Sequence, residues 1–342
     1  MPSLKEIKGR INSISSTLAI TSAMKMVASA KLQKAQMAIQ NMLPYERRLH
    51  SMLLDLMGAV NMSAPASEEG SARLVSLSNQ PDHTESEGAY SLMAQRQVRK
   101  VAIVAFASNS SLCGAFNSNV IREATAVINE YRASGLGDAD ITVYSVGRKM
   151  AEAMKKLGFP SPADFTKMSD SPSYDAASAL AQELFDGFVS GRFDKVELVY
   201  NHYKSTSSQP TTRQTYLPLS LADATADIQV GKITDSASEP YADKVAEPVV
   251  RQNSPTTETP DLIVEPSKEK LIATLLPKVV RLRVFTTLLD STAAEHAART
   301  VAMQLATDNG NDLLQELTLE YNKGRQQKIT SEILDIVGGS LQ

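Results

Sequence analysis

The sequence predicts an α/β fold in which a long helix from each end of the chain pairs as an antiparallel coiled coil, with a Rossmann-like α/β domain inserted between them. Two observations lead to this prediction. Both ends of the chain have helical patterns with almost no proline, whereas the middle alternates between strand-like and helix-like segments. A helix of roughly 60 to 70 residues would be on the order of 100 Å long, so we expect it to pack along a partner of similar length.

The composition fits a soluble protein with one large or two ordinary domains. The chain has 342 residues, 42% hydrophobic and 21% charged, and its net charge of -3 gives no general attraction to nucleic acid. A single cysteine excludes an internal disulfide framework. The sequence contains no run of about 18 apolar residues, so we expect no membrane span. The helical pattern starts directly after Met1-Pro2-Ser3, so we expect no signal or transit peptide.

Residues 1–60 are predicted to form the N-terminal coiled-coil helix, with only Pro44 inside it. Ser3 is a suitable N-cap, and Glu6 follows at capping-box spacing. Thr21 and Lys25 interrupt an otherwise apolar seam with a spacing near 3.5, which is typical of a left-handed coiled coil. A core helix of a bundle is the alternative. The apolar positions of the seam are Ile7, Ile11, Ile14, Leu18, Ala28, Leu32, Ala35, Ile39 and Met42.

The N-terminal helix is also basic and has a second apolar face. Eight basic residues stand against three acidic ones in residues 1–60, and Ile20, Met24 and Val27 lie off the seam. A basic coiled coil can bind RNA, but no aromatic residue before Tyr45 is available to stack on bases. An acidic protein surface is at least as good a partner.

The middle of the chain predicts a loop over 61–97 and a Rossmann-like α/β domain over 98–221. Proline, glycine and polar residues break the helical pattern in the loop. Buried strand patterns then alternate with amphipathic helices, which favours a largely parallel sheet. The predicted strands are 98–107, 141–146, 195–203 and 211–219, and the predicted helices are 117–133, 149–157 and 174–188.

The loop Ser108–Gly114, after the first strand, is the candidate nucleotide site, since such sheets bind ligands beyond the strand carboxyl ends. It contains neither Gly-x-Gly-x-x-Gly nor a Walker lysine. Cys113 has no visible catalytic partner, because the four histidines are scattered along the chain. We therefore expect no catalytic, cofactor or metal site.

Residues 222–266 are predicted to be an acidic, proline-rich insertion, and 267–342 the C-terminal coiled-coil helix. Seven of the 15 prolines lie between residues 204 and 267, where acidic residues outnumber basic ones nine to five. Pro277 is the only proline in the C-terminal helix. Its apolar positions recur at helical spacing as Leu314, Leu317, Tyr321, Ile329, Ile333 and Ile336.

Several motifs together resemble the γ subunit of F-type ATP synthases. They are ITSAMKMVASAKL within residues 14–36, Leu-Cys-Gly with Phe-Asn at 112–117, the run 295–309, and the ending 321–339. The resemblance is dense at both ends and thin in the middle. The sequence departs from the family at 109–111, which read Asn-Ser-Ser where Asp-Arg-Gly is usual, and in the apparent extra segment around 223–260.

The resemblance implies a rotating central stalk. The paired helices would form a shaft inside a ring of three α and three β subunits, and the α/β domain would form a foot on the ε subunit and the c ring. The chain would be a non-catalytic subunit that couples proton or sodium flow to ATP synthesis or hydrolysis on the β subunits. It would be a peripheral membrane protein on the cytoplasmic side of a bacterial inner membrane, touching the membrane only through the c ring and binding no nucleic acid.

The resemblance also implies two groups of residues at the subunit interface. Met24 and Lys25 correspond to the level where the shaft passes the β lever region. The residues that would meet the β catch loops are Arg325, Gln326, Thr330 and Glu332. The alternative for every interface position is a solvated helix surface.

Two rival functions remain. One is a nucleotide-dependent enzyme, and the other is a coiled-coil scaffold or RNA-binding protein with a ligand-free Rossmann-like domain.

Overall fold

Two long helices from the chain ends dominate the computed structural model, which describes residues 3–62, 92, 96–219, 265 and 267–339. Helix α1 spans Leu4–Met62 and helix α6 spans Lys268–Gly339. They run antiparallel, because the Thr307 hydroxyl donates to the Thr21 hydroxyl at 3.1 Å near one end of the pair while Glu46 of α1 bonds Thr286 further down. We call this pair the shaft. The predicted fold class is confirmed.

The start and the packed face of α1 follow the sequence pattern. The Ser3 hydroxyl accepts a hydrogen bond from the Glu6 amide at 3.2 Å, as an N-cap does. The Glu6 side chain, however, pairs with Arg10 at 2.9 Å one turn further along the helix. The predicted seam faces α6, since its positions are buried or half-buried, whereas Ile20 and Val27 of the second face are exposed.

Helix α6 continues beyond the beginning of α1. Gly324 lies against Leu4, the first residue of α1, so about 15 residues of α6 extend further, a length of roughly 22 Å. We call residues 325–339 the tip. The predicted apolar positions Ile329, Ile333 and Ile336 are 48%, 55% and 72% exposed. α1 starts too late to reach these three positions, so the two helices do not pair along the whole length of α6.

The part of the chain between the two long helices forms a four-stranded sheet in the order β2-β1-β3-β4. Strands β1, β2 and β3 are parallel, and β4 is antiparallel to β3. We call residues 96–219 the foot. Its strands are β1 Val101–Phe106, β2 Ile141–Val146, β3 Lys195–Asn201 and β4 Thr211–Leu217, and its helices are α2 Phe116–Ala133, α3 Arg148–Lys156, α4 Thr166–Asp170 and α5 Tyr174–Val189.

The two faces of the sheet have different partners. One face packs against α2 and α3. The other packs against α5, the lower part of α6 and the end of α1, and here Leu276, Val280 and Val284 of α6 are completely or almost completely buried. The Tyr216 hydroxyl donates to the Val280 carbonyl at 2.9 Å within this core. The foot and the shaft therefore share one hydrophobic core.

The structure confirms the predicted strands and helices of the foot within a few residues at each end. It adds α4, a helix of five residues in a stretch that we expected to be a loop. The predicted loop 61–97 and the predicted insertion 222–266 lie almost entirely outside the described residues.

Replacing Gly147 by alanine tests the close packing at the end of β2. Gly147 has φ +95°, and a Cβ atom there would lie 2.1 Å from the Ala107 carbonyl oxygen. We expect Gly147→Ala to lower the free energy of unfolding by about 3 kcal/mol, because it adds a backbone clash to an unfavourable conformation. Urea denaturation of the purified chain, followed by circular dichroism, measures this loss.

Gly158→Ala is the matched control. Gly158 has φ +90°, but no atom lies within 4 Å of the added Cβ. Its loss should be only about 1 to 2 kcal/mol, the cost of a left-handed conformation alone. Equal losses for the two variants would show that the contact with Ala107 is not tight.

Candidate functional site

Parallel α/β sheets usually bind ligands at the carboxyl ends of their strands, where the strand order reverses. In this chain the reversal lies between β1 and β3, since β2 lies on one side of β1 and β3 lies on the other. We call the residues that follow these two strands, 107–114 and 202–203, the carboxyl edge. Helix α6 lies across this edge.

The two residues after β3 bind both long helices. The His202 Nδ1 and Asp290 Oδ2 atoms form a hydrogen bond of 2.6 Å, and the Tyr203 amide donates to Asp290 Oδ1 at 2.9 Å. Asp290 belongs to α6. The Gln36 side chain of α1 donates to the Tyr203 hydroxyl at 2.6 Å. Tyr203 is thus a contact point between the foot and each helix of the shaft.

The loop after β1 forms a second polar contact with α6. Asn117 fixes the loop, because its Oδ1 accepts from the Ser108 amide at 3.0 Å. Arg299 of α6 donates to the Ser111 carbonyl at 2.7 Å and to the Ser110 hydroxyl at 2.8 Å. Of these two acceptors, only the Ser110 hydroxyl depends on the side chains of the Asn-Ser-Ser stretch, since the other is a backbone carbonyl.

Small side chains bring α6 close to its neighbours. Ala293 and Ala297 are fully buried against Leu32 and Ala35 of α1. One residue further round the helix, Ala294 packs on the foot. It contacts Cys113 and Phe116, with Tyr203 and Ala298 at the margin.

This packing leaves the carboxyl edge occupied by protein. A nucleotide bound there would have to displace α6. Cys113 is 1% exposed and hydrogen-bonded to Ser108 and Asn117, so its thiol is not accessible to a substrate. Among the described residues, no group of three or more metal-ligating side chains is arranged around a common point. The edge is suited to holding the shaft.

The six residues predicted to contact partner subunits lie in two separate bands of the shaft. Met24 is 41% exposed and Lys25 half-buried, about 20 residues from the start of α1, which corresponds to roughly 30 Å. The other four, Arg325, Gln326, Thr330 and Glu332, are exposed on the tip. The structure therefore does not bring the two groups together.

Within the tip, two of the predicted residues have local partners. The Thr330 hydroxyl donates to the Gln326 carbonyl at 2.9 Å, and Glu332 lies 3.7 Å from Lys328. In the described part of the chain, the Arg325 and Gln326 side chains form no hydrogen bond or ion pair. Their polar groups therefore have no competing contact with the described residues.

Comparison with known proteins gives the family. The family model described as ATP synthase matches residues 3–341. The ATP synthase gamma chain of Phocaeicola vulgatus is 49% identical over 341 residues, covering 100% of both chains, and that of Bacteroides fragilis is 46% identical over 342 residues with the same coverage. The chain belongs to the ATP synthase gamma chain family. These relatives align over their whole lengths, so the segment around 223–260 is not extra with respect to them.

The solved structures agree in fold. The chain is similar to one in the Euglena gracilis mitochondrial ATP synthase rotor in rotational state 1, with a TM-score of 0.52, 19% identity, and coverage of 95% of this chain and 98% of that one. A second Euglena gracilis structure, of OSCP, F1 and c-ring in rotational state 3, gives a TM-score of 0.54 at 19% identity, covering 98% and 92%. Family membership replaces the alternative of an unrelated scaffold or RNA-binding protein.

Beside the carboxyl edge, titratable groups sit in an environment that changes their pKa values. Burial raises the pKa of Glu295, although its hydrogen bond from Arg299 opposes this. Burial, with the positive charges of Lys31 and Arg299, lowers the pKa of His296 to about 4. The hydrogen bond with Asp290 raises the pKa of His202. His296 is therefore neutral near pH 7.

Sequence reasoning missed the contacts of Asp290, His202, Tyr203 and Gln36. These residues lie up to 254 positions apart, and none belongs to a short motif of its own. Arg299 lies in the quoted run 295–309, but the resemblance alone did not indicate that it binds the loop after β1. A search for polar residues in the otherwise apolar part of α6 would find Asp290, but also buried residues such as Arg283 and Glu295, so it does not single out the junction.

Protonation of His296 should destabilise the protein in acid. Because its pKa is lower in the folded chain than the usual 6.5, the unfolded chain binds the proton first, and stability is lost as the pH falls from about 6.5 toward 4. The loss is at most about 3 kcal/mol, and less after solvent screening. We expect His296→Gln to reduce this part of the slope when the free energy of unfolding is measured against pH.

His202→Gln is the control with the opposite sign. The raised pKa of His202 gives stability that is present below pH 6.5 and lost as the pH rises through the folded-state pKa. This variant should leave the slope between pH 6.5 and 4 almost unchanged. A wild-type slope in His296→Gln would contradict a buried, neutral His296.

Proposed function

We propose that this chain is the rotating central-stalk subunit of the F1 sector of an ATP synthase. It would couple ion flow through a c ring to ATP synthesis or hydrolysis at a ring of three α and three β subunits. One observation supports this most strongly: the 72-residue α6 is part of the foot's core at its lower end and extends past the first residue of α1 at the other. A single continuous helix therefore connects the two ends of the molecule.

The physical mechanism that we propose is conformational coupling. A rotating shaft can favour one conformation of a β subunit only if it contacts that conformation differently from the others. The shaft has two groups of exposed residues, at different heights, that can make such contacts. We call them the lower and the upper band. Met24 and Lys25 lie in the lower band beside the exposed apolar residues Ile20 and Val27, and Arg325, Gln326, Thr330 and Glu332 lie in the upper band on the tip.

The exposed apolar face of the tip fits rotation inside a protein sleeve. Ile329, Ile333 and Ile336 are exposed among the described residues, and residues 333–342 contain a single charged side chain, that of Asp335. A surface with little charge creates no deep electrostatic minimum at one angle. We propose that the end of the chain from Ile333 onward turns against an apolar inner surface of the α and β ring.

We propose that catalysis takes place on the β subunits and that this chain is non-catalytic. The filled carboxyl edge supports this assignment, since α6 occupies the position of a ligand. The foot would dock on the ε subunit and the c ring, and the protein would be peripheral on the cytoplasmic side of a bacterial inner membrane. None of the helices in the described residues is apolar over a length sufficient to cross a membrane.

We further propose the division of the chain stated above: coiled-coil helices 1–60 and 267–342, a loop 61–97, an α/β domain 98–221 and an insertion 222–266. The shared core of α6 and the sheet means that the domains are not independent folding units. The insertion lies outside the shaft in this proposal.

The double variant Arg325→Ala, Gln326→Ala tests the upper band. Arginine offers a fork of donors to a carboxylate, and a hydrogen bond to a charged group contributes roughly 1.5 to 3 kcal/mol. That is enough to change the population of a two-state β subunit about tenfold. We expect ATP turnover per assembled complex to fall severalfold, with the subunit stoichiometry unchanged on the same sample.

Arg122→Ala is the matched control for the loss of one arginine. Arg122 is exposed on α2 of the foot and bonds Asn119 at 3.2 Å, far from the tip in the fold. It should leave turnover within experimental error of the wild type. Wild-type turnover in a fully assembled Arg325→Ala, Gln326→Ala complex would mean that these side chains are solvated helix surface.

A further inference from the structure

In a rotor, torque must pass between the foot and the shaft through the contacts that join them. We infer that the carboxyl edge is an angular clamp, in which Asp290 and Tyr203 fix the rotational position of the foot relative to the shaft. We call the four residues Gln36, His202, Tyr203 and Asp290 the junction. This inference rests on the proposed rotor function, but its test has a separate readout.

The lower contact between foot and shaft is mainly apolar, with one hydrogen bond from Tyr216 to the Val280 carbonyl and one from Arg281 to Gln182. It joins the sheet and α5 to α6 through buried residues such as Leu276, Val280 and Leu288. Apolar attraction is not directional, so such a contact opposes separation more strongly than small rotations. Hydrogen bonds weaken steeply when their angles change. Polar contacts are therefore the ones that define an angle.

The junction provides such contacts to both helices at once. Asp290 of α6 accepts from the Tyr203 amide and bonds the His202 ring, while Gln36 of α1 bonds the Tyr203 hydroxyl. A body that touches one rod along a line can roll about it, but a contact with a second rod prevents the roll. The apolar core already touches the end of α1, and Tyr203 adds a directional contact to each helix, so it restricts rolling of the foot about α6 further.

Partial burial protects these bonds from water. The side chains of Asp290 and His202 are 18% and 26% exposed. The Tyr203 ring packs at the margin of two apolar groups, the one with Leu32 and Ala293 and the one with Phe116. Water competes less for hydrogen bonds in such surroundings, which makes the geometry of the junction more rigid.

The junction lies above the core that the foot shares with α6. Tyr216 binds Val280 in the core, and Asp290 is ten residues, about 15 Å, closer to the tip. Arg299, with its bonds to the loop after β1, is about 28 Å closer. Directional contacts between foot and shaft therefore continue well above the core.

The experiment uses the assembled complex with the full chain and compares Asp290→Ala, Asp290→Asn and Tyr203→Phe. The first removes both bonds of Asp290. The second keeps an acceptor for the Tyr203 amide but loses the negative charge opposite His202. The third removes only the bond with Gln36. Asp138→Asn is the matched control, because Asp138 forms an exposed ion pair with Arg132 on the foot, away from α6.

Two quantities are measured. Hydrogen exchange of backbone amides 200–204 reports directly on the bond between the Tyr203 amide and Asp290. The angular variance of a rod attached to the foot, in a complex stalled at one catalytic dwell, reports on the torsional stiffness between foot and α and β ring. For Asp290→Ala we expect amide exchange at least tenfold faster and an angular variance about twofold larger.

The other variants should have smaller effects on the angular variance. Asp290→Asn and Tyr203→Phe should increase the variance less than Asp290→Ala, and Asp138→Asn should not change it. If Asp290→Ala prevents assembly, the comparison of these two variants with the control decides. Unchanged angular variance together with faster amide exchange would overturn the inference, since the bond would then be broken without any effect on stiffness.

The same apparatus separates this inference from the proposed function. If the rod on the wild-type foot does not rotate during ATP hydrolysis, the rotor function is wrong. If it rotates, and the variance is the same in the wild type and in Asp290→Ala, only the clamp is wrong. A general loss of folding would instead increase exchange throughout the foot, including β1 and β2.

Discussion

The rest of the structure depends on one constraint: α6 belongs to two structures at the same time. Its lower third completes the core of the α/β domain, with Leu276, Val280 and Val284 buried against the sheet. Its upper part packs along α1, and the tip extends past the first residue of α1. A full turn of the foot therefore turns the helix that it helps to bury. The junction adds hydrogen bonds to both helices, which limit small rotations between foot and shaft.

The same sharing explains the sequence of α6. Near the foot, one side must fit α1 and another the carboxyl edge, and only small residues allow both approaches. Ala293 and Ala297 face α1, whereas Ala294 faces Cys113 and Phe116. Charged residues enter this stretch where they bind the foot, as Asp290 and Arg299 do. Toward the tip these restrictions disappear, and the helix exposes larger apolar side chains.

The periodic parts of this fold could be predicted from the sequence, because long helices and buried strands repeat a pattern many times. The seam of α1 and the strands of the foot were found in this way. The five-residue α4 has too few turns to show a period. The junction could not be found either, since it depends on the docking of His202 against Asp290, 88 positions away. The uncovered tip depends on the register of α1 against α6, which the pattern of either helix leaves open.

The number of residues between Asp290 and Arg325 also determines the rotational angle of the tip relative to the foot. An α-helix turns by about 100° for each residue, and α6 is continuous between these two positions. The number of residues between them thus determines which way the tip faces when the foot faces a given direction. A change of one residue would rotate the tip by nearly a third of a turn relative to the foot. The length of this helix therefore determines at which angle of the foot the tip faces a given direction. Substitutions in this segment keep that angle, whereas insertions and deletions change it.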